Sequence, residues 1–137
     1  MKYFGILIDP SKDEVTRVEM DDKVVKLSEM YSHIECDMVE RAQIGTAVVS
    51  VQDEDELVVG KEMSIDLWFD EEGLLNGAPE RIGCFKVHGN IYCGKGLIIL
   101  SDYEGESISF DSDHYDLDEF AETIIEIVSN KNNFVYA

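Results

Sequence analysis

The residues best equipped for chemistry in this chain are carboxylates. Asp111, Asp113, Asp116, Asp118, Glu119, Glu122 and Glu126 crowd one stretch near the C-terminus. Asp70, Glu71 and Glu72 form a second run, just after Trp68, the single tryptophan. Paired carboxylates serve as general acid and base when different surroundings push their pKa values apart. The Asp70–Glu72 run is followed at once by Gly73 and then by Asn76, Gly77 and Pro79. Those are turn residues, and a solvated turn gives neighbouring acids the same surroundings. Gly73 is read as the φ > 0 position a hairpin commonly needs. The run is therefore expected to be a strand end and a charged tip, not a catalytic centre.

Metal and phosphate chemistry fare similarly. Counted as a calcium loop, Asp111 and Asp113 fall at positions one and three, Glu119 at nine and Glu122 at twelve. Tyr115 at five, and Asp116 at six where the sharp turn wants glycine, break the pattern. Cys84, His88 and Cys93, with Cys36 or His114, could ligate zinc, but no close C-x2-C pair exists. No metal and no cofactor is expected. The glycine-rich "CGKG", Cys93 to Gly96, carries Lys95, and with Arg81 and Lys86 it is the only plausible lining for a phosphate or nucleotide. It lacks the G-x-x-x-x-G-K-[ST] spacing, and a strand follows instead of a helix. No serine sits in a G-x-S-x-G elbow, and no Cys–His arrangement is singled out. The balance leans against an enzyme. A metal-dependent hydrolase using the acid cluster stays open behind a small-molecule binder that sequesters a nucleotide signal.

The elements that must position these groups follow from patterning. At 137 residues and 45% apolar, the chain is one domain's worth and can build a core. Lys2–Asp9 reads as a buried strand and Glu14–Met20 as its hairpin partner. Asp21 or Asp22 is expected to cap a short helix with Val24, Leu27 and Tyr31 at helical spacing. His33–Gly45 reads as a half-buried strand with Ile34, Cys36 and Met38 inward, which "TAVVSVQ" continues or follows with another. Asp53–Glu56 is a charged loop. Met63–Phe69 is a strand with Ile65 and Leu67 on one face and Asp66 and Trp68 on the other. Trp68 is read as packed. Arg81–Val87 and Asn90–Tyr92 form a hairpin around "HGN", and Gly96–Ser101 is a central strand. A helix is predicted from Leu117 to about Ser129, with Leu117, Phe120, Ala121, Ile124 and Val128 as its buried stripe. Asp116 is its cap, with Glu119 completing a capping box. The fold class is α+β: a mixed or antiparallel sheet of about five to seven strands with two packed helices, in one domain over 1–137.

Charge bounds the partners. Thirty acids against 11 Lys plus Arg give a formal charge of −19. Such a surface repels nucleic acid and anionic membrane, so neither is an expected direct partner. No apolar run approaches the ~20 residues of a membrane span, and "MKYFGILIDP" lacks a signal peptide's architecture. The three cysteines fit reduced thiols better than a disulfide scaffold. A cytoplasmic protein is expected. On the predicted C-terminal helix, Glu119, Glu122 and Glu126 share an exposed face with no cation among them. A row of carboxylates on a rigid element can imitate a phosphate backbone, which carries a charge about every 1.7 Å along duplex DNA.

The order of "GILIDPSKDEVTRVEM", "LSEMYSHIECDMVE", "IDLWFDEEGLLNGAP" and "VHGNIYCGKGLIIL" resembles a family of small domains of unknown function, carried mainly by phages and bacterial mobile elements. In that family a strand ends in an acid- or Asn-led E-E-G turn, here Asp70 to Gly73, and a later strand follows an x-x-G-x-x-hydrophobic pattern, here Gly94 to Ile99. The resemblance covers the first hundred residues or so. "NGAPER" stands where the family commonly has Asn and Arg, so no site is carried over from those positions. The resemblance implies an accessory protein in the bacterial cytoplasm. It transfers no chemistry. The expected role is non-enzymatic inhibition of a host defence or nucleic-acid-binding protein with a basic surface, with homo-oligomerisation left open.

Overall fold

A computed structural model describes residues 3–52, 58–75, 77–102, 106–109 and 125–128. Two strands open the chain, β1 (Tyr3–Asp9) and β2 (Glu14–Met20), paired antiparallel through the Pro10–Asp13 turn. Helix α1 (Leu27–Ile34) follows. Two long strands, β3 (Val39–Gln52) and β4 (Val58–Asp70), then pair antiparallel with a bulge between Gln43 and Gly45. One helical turn, α2 (Ala78–Arg81), leads to the hairpin of β5 (Cys84–Val87) and β6 (Asn90–Cys93). Strand β7 (Gly96–Ser101), the short β8 (Ser107–Ile108) and β9 (Ile125–Val128) complete the described elements.

These make two antiparallel sheets. The larger runs β2-β1-β7-β4-β3, with β8 also paired to β7. The smaller runs β6-β5-β9. Period-two alternation assigns the faces. Ile98 and Leu100 of β7, Ile6 and Ile8 of β1, and Ile65 and Leu67 of β4 meet Phe85 and Val87 of the small sheet in one core. Leu97 and Ile99 turn the other way, toward Met30 and Ile34 of α1. The architecture is a helix, a six-stranded sheet and a three-stranded sheet in layers. No described helix is long and apolar enough to cross a membrane.

Strand β7 is central, as its continuous apolar sequence predicts, and all its residues are buried. The described residues are sheet-rich with two helices, one of them a single turn, so α+β holds only coarsely. Two predicted elements are corrected. The helix expected to reach Ser129 is strand over Ile125–Val128, and Phe85 pairs with Ile127. Strand β5 is buried and needs a partner on its second edge. The alternating Ile125 and Ile127 pack against the core beyond it, which a period-two segment does and a helix does not. Residues 117–124 and 129 lie outside the described ones. The second correction concerns α1. Asp21 and Asp22 do not cap it. It begins after Lys26, buries Met30 and Ile34, and leaves Leu27 exposed, while Val24 bridges to Ile108 of β8. His33–Met38 is consequently not strand: Glu35 closes the helix in the left-handed region, with φ 60° and its N–H bonded to Tyr31 O.

The two sheets meet closely at Gly96. A Cβ there would lie 2.6 Å from Phe85 Cζ, and Phe85 is fully buried. Gly96→Ala should therefore destabilise the parent by about 1–3 kcal/mol through overpacking. The same change should cost clearly less in a Phe85→Leu background, where the ring is gone. Urea denaturation of the four proteins measures both numbers, and equal costs in the two backgrounds would refute the contact.

Candidate functional site

The Asp70–Gly73 turn is anchored rather than splayed. Asp70 is buried, and its Oδ1 accepts the Glu72 N–H at 2.9 Å. Its backbone carbonyl accepts the Gly73 N–H at 3.2 Å, and the Glu71 N–H reaches Met38 O at 3.0 Å. Glu71 and Glu72 point to solvent. Gly73 does not have a positive φ, contrary to the hairpin expectation. It is required for another reason: a Cβ would lie 2.3 Å from the backbone oxygen of Cys93. The segment packs on the β5–β6 hairpin instead of returning as a strand, and Gly77 takes the left-handed conformation ahead of α2.

Lys95 is not poised for a phosphate. Its ammonium sits 3.7 Å from Asp9 Oδ2 and contacts the Glu35 carboxylate. Lys86 lies on the outward side of β5, in register opposite Glu126 of β9. Arg81 is exposed at the end of α2. The three cations proposed for one ligand thus stand on separate elements, and the one nearest the glycines is already matched by two acids. Of the acidic C-terminal residues, only Glu126 is described. It is exposed on a strand. Asp111, Asp113, Asp116, Asp118, Glu119 and Glu122 lie outside the described residues.

Two buried carboxylates on the α1-facing side of the large sheet escaped the sequence reading. Asp66 accepts the Ser101 hydroxyl at 2.6 Å and the Ser64 hydroxyl at 2.7 Å, and Arg41 stands 3.8 Å away. Arg41 also lies over the half-buried Trp68 ring, 5.9 Å from its centroid. Trp68 packs with the α1 core, as expected, and its Nε1 has no hydrogen-bond partner among the described residues. Asp9, at the end of β1, accepts the Ser11 hydroxyl at 2.6 Å and the Ser11 N–H at 3.1 Å. Burial alone would raise the Asp9 pKa. The Ser11 hydroxyl, Lys95, the Ser11 N–H and Lys12 outweigh it, and the net shift is downward. The signal for Asp66 was available: it is an acid inside the strand-forming run "SIDLWF", whereas Asp9 closes its run next to Pro10.

An acidic concavity lies between the end of β2 and α1. It encloses about 450 Å³ and is lined by Glu19, Asp21, Asp22 and Glu29, with Val24, Lys26, Ser28, Ser32 and His33. Glu29 Oε2 accepts the Asp21 N–H at 2.8 Å and stands 3.9 Å from His33 Nε2. Glu19, Asp21 and Asp22 are exposed at its rim. Carboxylates on a fixed loop and helix around an open cleft can receive a cationic side chain from another molecule. Among the described residues no group of three or more His, Cys, Asp or Glu is arranged to hold a metal. Compared with protein-family models, with curated proteins and with solved structures, the chain finds no match.

The Asp9 environment predicts an acid-side effect. Its pKa is lower folded than unfolded, so its stabilisation is complete above the ordinary value of 3.8 and is lost as pH falls through the lower folded value. Asp9→Asn should cost about 1–3 kcal/mol near neutrality. It should also flatten the fall in stability below the ordinary carboxylate range. Urea midpoints at several pH values from neutral to strongly acid test this. A variant curve parallel to the parent's would refute the assignment.

Proposed function

We propose that this chain is an acidic accessory protein of a phage or mobile element that acts in the bacterial cytoplasm without catalysing a reaction. It occupies the basic, nucleic-acid-binding face of a host protein, a defence factor in the favoured version. The observation that carries the reading is the cleft between β2 and α1. Four of its lining residues are acids, and a single lysine opposes them. The formal charge of −19 extends the same sign over the molecule. A negative field speeds encounter with a basic partner and disfavours acidic ones. The ordered resemblance of the first hundred residues supplies the phage context. The nucleotide-binding alternative has less support, because Lys95 would have to leave Asp9 and Glu35 to meet a phosphate.

A tagged parent incubated with bacterial lysate should retain a basic nucleic-acid-binding protein at low salt. Raising the salt should weaken that binding about tenfold or more. Two charge-reversal variants locate the surface: Asp21→Lys with Asp22→Lys for the cleft, and Glu119→Lys, Glu122→Lys and Glu126→Lys for the C-terminal acids. Loss of capture in either variant, with an unchanged circular dichroism spectrum, assigns the contact. Capture undiminished in both, or indifferent to salt, would overturn the proposal.

A further inference from the structure

The β5–β6 hairpin brings two cysteines face to face. Its turn is two residues long, His88 and Gly89, with φ 51° and 80°, the type I′ geometry whose twist matches a tight hairpin. Val87 and Asn90 close it, and the register continues through Lys86–Ile91 and Phe85–Tyr92 to Cys84–Cys93. In such a ladder hydrogen-bonded and non-hydrogen-bonded pairs alternate. The next position out is hydrogen-bonded, with the Gly94 N–H on Gly83 O at 2.9 Å. Cys84 and Cys93 therefore occupy a non-hydrogen-bonded pair. There the Cα atoms approach to about 4.5 Å and the side chains lie on one face, inside the Cα window of about 4.4–6.8 Å that a disulfide spans. Both thiols are free and buried, and the two side chains are hydrogen-bonded to each other. Their common neighbour is the buried Ala78 of α2.

We propose that Cys84 and Cys93 form a reversible intramolecular disulfide across the β5–β6 hairpin by exchange with a low-molecular-weight disulfide such as oxidised glutathione. One cysteine thiolate attacks the small disulfide, forming a mixed disulfide and releasing one small thiolate. The other cysteine, deprotonated, attacks the protein sulfur of that mixed bond and expels the second small thiolate. The protein loses two electrons to the small disulfide, and the two thiol protons end on the released thiols. Burial raises both thiols. Access requires the segment packed on the pair to lift, because both cysteines are buried in one cluster with Ala78 and Gly73 lies against Cys93 O. Cys36 belongs to the other core, under α1, and stays outside the bond. Burial and Asp70 push its pKa up to about 11.

The test lets the oxidant in by unfolding. The full chain is refolded from denaturant in equimolar reduced and oxidised glutathione, alkylated with N-ethylmaleimide and weighed intact, then mapped after proteolysis. The expected product is a monomer with a Cys84–Cys93 disulfide and alkylation at Cys36 alone. Dithiothreitol should restore alkylation at all three cysteines. Cys36→Ser should leave the bond in place, and Cys84→Ser should abolish it. Alkylation of all three in the redox buffer, a bond that includes Cys36, or a disulfide-linked dimer would overturn the proposal.

Discussion

Strand β7 has both faces buried and both edges paired, and the remaining elements are arranged by that demand. Leu97 and Ile99 need cover on one side, Ile98 and Leu100 on the other. Full burial of an aliphatic side chain contributes about 1.5–3 kcal/mol, so four of them rival the net stability of a whole domain. A single sheet leaves one of those faces wet. The chain solves this with α1 above and the β6-β5-β9 sheet below. Gly96 lets the lower layer approach, since Phe85 occupies the space a side chain would take. Further along, β1 hands its place beside β7 to β8, and the segment holding Val24 and Val25 then flanks β8 through the Val25 N–H to Ser107 O bond.

A layer this apolar must satisfy any acid it buries. Asp9 and Asp66 are both buried on the α1-facing side, and a buried carboxylate is costly unless its oxygens are bonded. Each is supplied from its own neighbourhood: Asp66 by two serine hydroxyls, with Arg41 near, and Asp9 by Ser11, with Lys95 near. Lys95 and Arg41 each stand beside a buried carboxylate, and Arg41 keeps nearly half of its side chain in solvent.

The parts of the fold legible in the sequence were those where local pattern and tertiary demand agree. The β1–β2 hairpin, the alternation around Trp68, the turn at His88–Gly89 and the buried β7 all announce themselves by period or turn chemistry. The failures have one cause. In "YSHIECDM" the alternation of Ile34, Cys36 and Met38 competes with the i,i+4 spacing of Met30 and Ile34, and the helix wins because the sheet face above Leu97 and Ile99 needs it. Near Ile125 the helical stripe loses to the open edge of β5. Neither contest is decided within a window of ten residues, since the deciding partner lies far away in the chain. The acidic cleft was hidden for the same reason. Glu19, Asp21, Asp22 and Glu29 are near in sequence, but their convergence depends on α1 starting after Lys26 instead of at Asp22.

Some of the negative surface has a purely structural use. In the large sheet β2 and β3 are the outer strands, and charged residues such as Glu14, Arg17, Glu19, Glu40 and Arg41 discourage pairing with other chains. Edge protection needs charge of either sign, and both edges carry an arginine among their acids. The cleft departs from that pattern. It opens between the end of β2 and α1, where Glu19, Asp21, Asp22 and Glu29 gather around Lys26 and His33. Bringing like charges together costs stability. The edges thus mix the two signs, whereas in the cleft four acids face one lysine.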